Sequence, residues 1–275
     1  MNVENGKTLQ TVAPKEKPLA CWWSKLYLWV VCEGLVVIKY PYTSTHKNIV
    51  GDYVEECCID CDGDVVKFEE GVLVCYQKNR KISISKICQE NLCQQQILDS
   101  YFDNVPDVSI SSDGCAVLLY DAKDPYYQIW EMESGNKWEL HSMEMWNCVR
   151  WCGCLAGKRN SRNLLWLLQP HYYEKSALFS IDLSDTTQKD VVHPLPNDFI
   201  DPDFIYVNSK LLICVDMGGI YFIHVPDGTV ISSLYAGCIG KPFFVPSKRL
   251  LFLFIGNGII KHFKIHNMDK YLPPK

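Results

Sequence analysis

Apolar and polar positions along this chain fall into short runs broken by turn-forming residues, and hardly any stretch keeps a 3.6-residue period. Runs such as Leu35 to Tyr40, Ala116 to Tyr120, Leu211 to Val215 and Leu250 to Ile255 are rich in β-branched and aromatic residues. Bounded by Gly, Asn, Asp and Ser, they predict strands joined by tight turns, because those residues reach backbone angles that others resist.

One pattern occurs three times. Ser24-Lys25-Leu26 opens a run that reaches Glu33-Gly34 and resumes as Leu35 to Tyr40. Ser209-Lys210-Leu211 opens another that breaks at Gly218-Gly219 and resumes as Ile220 to Val225. Ser247-Lys248-Arg249-Leu250 opens a third that breaks at Gly256-Asn257-Gly258 and resumes as Ile259 to Phe263. The serine-to-glycine spacings are 10, 10 and 11 residues. A fourth copy has the turn Ser111-Ser112-Asp113-Gly114, the strand Ala116 to Tyr120, a turn at Asp124-Pro125, the strand Tyr127-Gln128-Ile129-Trp130 and the turn Ser134-Gly135-Asn136-Lys137. Alternation of turn and strand in this way predicts β-meanders. Six units begin near Leu19, Val54, Val108, Cys148, Phe204 and Phe243, about 45 residues apart on average. The second and fourth are longer, which predicts insertions at Cys88 to Asn104 and at Gly157 to Asn163.

The stretch from Val108 to Leu140, with Ser111-Ser112-Asp113-Gly114, the apolar strand and Ile129-Trp130-Glu131, resembles a WD-repeat blade. That family commonly ends the strand in Trp-Asp; here the dipeptide is Trp130-Glu131, and the other units carry Lys39-Tyr40, His224-Val225 and Lys264-Ile265 near that place. The unit length matches one four-stranded propeller blade. The resemblance implies an all-β fold: a single β-propeller of six degenerate four-stranded blades over residues 19–275, or seven if Cys88 to Asn104 supplies part of another, after a flexible polar segment at 1–18. Through its near-invisible repeat and the Trp22-Trp23-Ser24 opening, the chain also resembles the amino-terminal propellers of the Rough deal and neuroblastoma-amplified-sequence family of tethering and kinetochore proteins.

Composition narrows the function. The 275 residues carry a formal charge of −5, which argues against a basic nucleic-acid footprint. The longest apolar runs fall well short of the ~20 residues of a membrane-spanning helix, and Met1 to Pro18 is polar, so neither membrane insertion nor an export signal is expected. Fourteen cysteines would suggest a disulfide framework in a small secreted chain, but Cys32, Cys75 and Cys214 sit inside apolar runs and read as small buried hydrophobes in a reducing cytoplasm.

Candidate chemistry is sparse. A structural zinc site needs two closely spaced ligand pairs; only Cys58-x2-Cys61 has the spacing cleanly, beside Cys57, and no second pair lies near it, so Cys57 to Cys61 and the cluster Cys148, Cys152, Cys154 read as strand or turn cysteines and no metal is expected. There is no Gly-x-Ser-x-Gly elbow, and the glycine pairs lie between strands, not between a strand and a helix, so neither catalytic residues nor a cofactor is expected. Most of the tryptophans, Trp29 and Trp151 among them, read as core. The pairs Tyr126-Tyr127 and Tyr172-Tyr173 stand beside Pro125 and Pro170-His171, which predicts turns with at least one ring of each pair outward, as a partner-binding surface. Lys158, Arg159 and Arg162 in the second insertion would steer an acidic partner. The expectation is a non-catalytic protein-interaction scaffold of the cytoplasm, with a nuclear or kinetochore-associated pool as the alternative, whose partners are other proteins of a multi-subunit complex; no nucleic acid or small-molecule ligand is expected. The alternative is a propeller enzyme using its central channel.

Overall fold

The computed structural model describes residues 14, 16–24, 26–41, 55–59, 63–77, 79–88, 91–92, 95–100, 102–121, 126–132, 138–145, 151–156, 163–168, 177–182, 191–194, 203–208, 210–216, 219–235, 243–245, 249–255, 259–266 and 270–271. Among them the one helical element is a 3-10 turn, Glu33–Leu35, where Gly34 supplies a φ of 74°.

Strands make up the rest, in six sheets among the described residues. The first runs β1 (Pro18–Trp23), β2 (Tyr27–Cys32), β3 (Val36–Pro41) and β4 (Glu55–Cys58). The second has β5 (Gly63–Glu69), β6 (Val72–Gln77) and β7 (Lys81–Cys88), with both β8 (Asn91–Leu92) and β9 (Gln96–Asp99) paired to β7. The third comprises β10 (Asp107–Ile110), β11 (Ala116–Tyr120), β12 (Tyr126–Met132) and β13 (Trp138–Met145), and the fourth β14 (Trp151–Ala156), β15 (Asn163–Leu168), β16 (Ala177–Asp182) and β17 (Val191–Pro194). The fifth holds β18 (Asp203–Asn208), β19 (Leu211–Val215), β20 (Gly219–His224) and β21 (Thr229–Tyr235), and the sixth β22 (Phe243–Val245), β23 (Leu250–Ile255) and β24 (Ile259–Lys264). Sequence neighbours are sheet neighbours except at β9, which passes over β8 to pair with β7, so the sheets are antiparallel meanders.

Two expectations are corrected. The second unit does not begin at Val54: β4 pairs with β3 and closes the first sheet, and the second sheet opens at Gly63. Cys88 to Asn104 is not an insertion, because it contains β9, whose residues Gln96 to Asp99 pair with Ile84 to Lys81 of β7. At the amino end β1 opens at Pro18, the Lys17 carbonyl accepts the Glu33 N–H at 2.8 Å, and Lys17 Nζ lies 3.0 Å from Glu33 Oε1.

The chain divides into two compact units, Met1–Ile110 with Met132–Glu139, and Ser111–Glu131 with Leu140–Lys275. In the first, Trp29, Val31 and Val37 pack with Phe68, Leu73 and Cys75 between the first and second sheets, while Val30, Cys32, Ile38 and Tyr40 cover the other face of the first. In the second, alternation along β19 sends Leu211, Ile213 and Val215 toward Phe244, Leu251 and Ile265 of the sixth-sheet region, and Leu212 and Cys214 toward Cys154 and Leu178 of the fourth sheet. A strand buried on both faces has no polar side to show, so β6, β11 and β19 read as unbroken apolar runs.

Candidate functional site

The hairpins joining the first two strands of three sheets share one device, a side-chain oxygen that stands in for missing backbone partners. Ser24 Oγ accepts the N–H groups of Leu26 and Tyr27 at 3.3 and 3.0 Å. Ser111 Oγ accepts those of Cys115 and Ala116 at 3.2 and 2.9 Å and donates to Asp113 Oδ1 at 2.7 Å. Asn208 Oδ1 accepts those of Lys210 and Leu211 at 2.8 and 3.1 Å. Short polar side chains favour turns for this reason. In the fifth-sheet copy the acting residue is Asn208; the Ser209 of the sequence pattern lies outside the described residues. A second shared contact follows in the second, fifth and sixth sheets, where an N–H at or just past the end of the third strand donates to a carbonyl of the first turn: Ile87 to Gly71, Val225 to Lys210 and Ile265 to Arg249, at 2.8, 3.2 and 2.9 Å.

The predicted partner-binding residues are placed only in part. Tyr126 opens β12 and belongs to a strand, not a turn. Tyr127 lies opposite Tyr120 and is 2% exposed, so it is an interior residue and not an exposed anchor. Its partner strand β11 is likewise buried along its whole length. Tyr172, Tyr173, Lys158, Arg159 and Arg162 lie outside the described residues. Large apolar residues that do reach solvent are spread over turns and strands: Leu19, Leu26, Ile97, Val105, Leu140 and Leu234.

Buried polar groups were the features hardest to foresee. Gln96 of β9 bridges the backbone of Trp138 at the start of β13: its Nε2 donates to the Trp138 carbonyl and its Oε1 accepts the Trp138 N–H, both at 2.8 Å. An amide side chain presents the same donor and acceptor pair as a peptide group, which is what this strand end needs. Lys39 of β3 is 6% exposed, with its ammonium 4.3 Å from the Tyr27 ring centroid and 5.1 Å from that of Trp29, an electrostatic attraction to two π faces. Gln128 is wholly buried without a partner for either amide atom, and Trp130 Nε1 on the same strand is likewise unpaired.

Among the described residues two titratable groups are shifted, both for local structural reasons. The Asp227 carboxyl is held down at about 2, first by hydrogen bonding from the Thr229 N–H at 2.9 Å and then by His224, whose Nδ1 is 2.9 Å away; it fastens the turn between β20 and β21. Burial pushes the Tyr76 hydroxyl up, and that hydroxyl donates to the Phe102 carbonyl at 2.9 Å. Cys32, Cys75 and Cys214 are buried in the core clusters. Among the described residues no three His, Cys, Asp or Glu side chains gather as metal ligands.

No protein-family profile matches the chain, and no curated protein does. Solved structures do. A functionally unknown protein from Desulfotomaculum acetoxidans aligns over 92% of this chain and 84% of its own, at 8% identity and a TM-score of 0.62. Hsv2 of Kluyvelomyces marxianus aligns over 83% of this chain and 75% of its own, at 11% identity and a TM-score of 0.53. Sqt1 of Saccharomyces cerevisiae aligns over 90% and 75%, at 10% identity and a TM-score of 0.52. Hsv2 and Sqt1 are β-propellers of the WD40 type. With its successive antiparallel meanders, the chain has the all-β propeller fold.

Proposed function

We propose that this propeller is a non-catalytic protein-interaction scaffold, acting as a subunit or amino-terminal domain of a larger cytoplasmic assembly. The observation that carries the reading is how the residues are spent. The middle strands β6, β11 and β19 are committed to packing on both faces, and the shifted groups Asp227 and Tyr76 each serve a turn or a loop contact. What such a fold has to offer a partner is its turns and outer strands, the places where interface anchors are found. Tyr126 with Tyr172 and Tyr173 are the proposed anchors, and Lys158, Arg159 and Arg162 the proposed steering charges. Tyr127 is excluded by its burial. Six sheets correspond to six blades in this reading, and the Trp22-Trp23-Ser24 opening supports the finer assignment to a vesicle-tethering or kinetochore assembly.

The test is affinity capture of the tagged chain from cells, with cross-linking to map contacts. A stoichiometric protein partner, weakened about thirtyfold by joint alanine replacement of Tyr126, Tyr172 and Tyr173, is expected, since loss of a true anchor costs roughly 2 kcal/mol or more. Capture unchanged by those replacements refutes the anchors. A chain that stays alone at native abundance refutes the scaffold.

A further inference from the structure

The sixth sheet differs from the rest in strand number and in charge. Among the described residues it has three strands, ordered β22-β23-β24, where every other sheet has at least four. Among the described residues β22 and β24 are its two edge strands, and β24 is paired on one side only, to β23. Between Asp227 and Asp269 the sequence contains no acidic residue at all, but five cations: Lys241, Lys248, Arg249, Lys261 and Lys264. In a chain of net charge −5 this stretch stands at +5, and the remainder at −10.

Side-chain placement puts part of that charge on an accessible surface. Leu251, Phe263 and Ile265 turn to the core shared with the fifth sheet. Their neighbours take the opposite face, where His262 pairs across to Phe252, its ring 6.0 Å away, and Lys264 pairs across to Leu250. His262, Lys264 and His266 are exposed. A strand at a sheet edge presents main-chain donors and acceptors to any extended chain that can approach, and lysines there repel a like-charged strand. An acidic strand instead gains cross-strand pairing with the same residues, so one set of side chains blocks self-association and selects the partner.

We propose that β24 is the docking edge for an extended acidic segment of a partner protein, which joins the sixth sheet as a further strand. The proposal rests on the scaffold reading and names the chemistry of one partner. Main-chain pairing favours a peptide over an anionic membrane, which has charge to offer but no strand.

Fluorescence anisotropy of the full chain decides it, using three labelled peptides of equal length: alternating Glu and Val, alternating Lys and Val, and alternating Glu and Pro. The first should bind, with affinity falling as salt is raised. The Glu-Pro peptide has the same charge but cannot pair along a strand, and the Lys-Val peptide has the wrong sign, so each should bind about tenfold more weakly or not at all. The double variant H262E with K264E should lose about tenfold for Glu-Val and gain for Lys-Val, a reversal that misfolding cannot produce. Equal binding of Glu-Pro and Glu-Val, insensitivity to the double variant, or binding of phosphatidylserine vesicles with no binding of Glu-Val would each overturn the proposal. If Glu-Val fails while partner capture remains sensitive to Tyr126, Tyr172 and Tyr173, this site falls and the scaffold stands.

Discussion

Removing the amide of Gln96 should cost more when the replacement is apolar and well fitting than when it is small. Gln96 satisfies both backbone groups of Trp138 through two bonds of 2.8 Å, and Trp138 itself is 2% exposed. Each such bond contributes about 1 kcal/mol net, while an orphaned buried donor or acceptor costs about 1–3 kcal/mol. Gln96→Ala shortens a half-buried side chain, which lets water reach the freed N–H and C=O, so the loss should stay near about 2 kcal/mol. Gln96→Leu keeps the volume and excludes that water, so about 3–4 kcal/mol should go. A packing role would give the opposite order, because leucine would restore most of the contact. Gln96→Glu keeps an acceptor for the Trp138 N–H but sets a carboxylate against the carbonyl. Its folded pKa should therefore lie above the ordinary carboxylate value of ~4.3. The stability it retains should be fully present below that ordinary value and lost as pH rises through the folded one. Urea denaturation reads all three variants, with Gln96→Ala also lowering the melting temperature by about 4–8 °C. Gln96→Leu as stable as the parent protein would refute the reasoning.

Three further outcomes follow from equally local geometry. Tyr76→Phe deletes the hydroxyl that serves the buried Phe102 carbonyl and should cost about 1–2 kcal/mol in urea denaturation; because burial raises that hydroxyl's pKa, its contribution holds below pH ~10 and fades as pH rises through the folded value, and an unchanged midpoint would count against the bond. Gly63→Ala should cost about 1–3 kcal/mol, since a Cβ there would strike the Tyr76 carbonyl oxygen and come within 3.2 Å of Gln77 Cα; a neutral result would show that β5 can shift away. The Asp227 carboxyl should titrate near about 2 by carboxyl NMR, and the fastening of the β20–β21 turn should persist above pH ~4 and be lost as pH falls through about 2; an ordinary midpoint would mean that the Thr229 contact is not made in solution.

The repeat was legible in the sequence where geometry forces a narrow choice of residue. Strands buried on both faces must be apolar throughout, so β11 and β19 were located residue for residue. Unit starts near Leu19, Val108, Phe204 and Phe243 fall within a residue of β1, β10, β18 and β22, because a polar turn precedes each apolar second strand. The β4 strand was assigned to the wrong unit because Glu55-Glu56-Cys57-Cys58 has no apolar alternation, and pairing to β3, not pattern, decides where it belongs. The Cys88 to Asn104 stretch misled for the same reason: β9 is an outer strand of four residues, two of them polar, that gains its place from β7. Tyr127 misled in the other direction. A proline two residues before it signalled a turn, but the tyrosine is already in register with Tyr120, and burial follows from register.

Why no family profile matches a fold this regular follows from what the turns require. The first hairpins of the first, third and fifth sheets all need an acceptor oxygen positioned for two consecutive N–H groups, and Ser24, Ser111 and Asn208 supply it with equal success. Chemistry at that position is defined by an atom, not by a residue type, so substitution among Ser, Asn, Asp and Thr is nearly free. The same holds inside the sheets, where any apolar residue of suitable volume fills a doubly buried strand. Selection on atoms and volumes preserves the backbone while letting residue identities drift, and identities of 11% and 10% to the Hsv2 and Sqt1 propellers are what remains. Function cannot be carried across so wide a gap by likeness alone, so it must be sought where this chain departs from its own repeat: in the polar bridge at Gln96, in the buried cation of Lys39, and in the acid-free edge of β24.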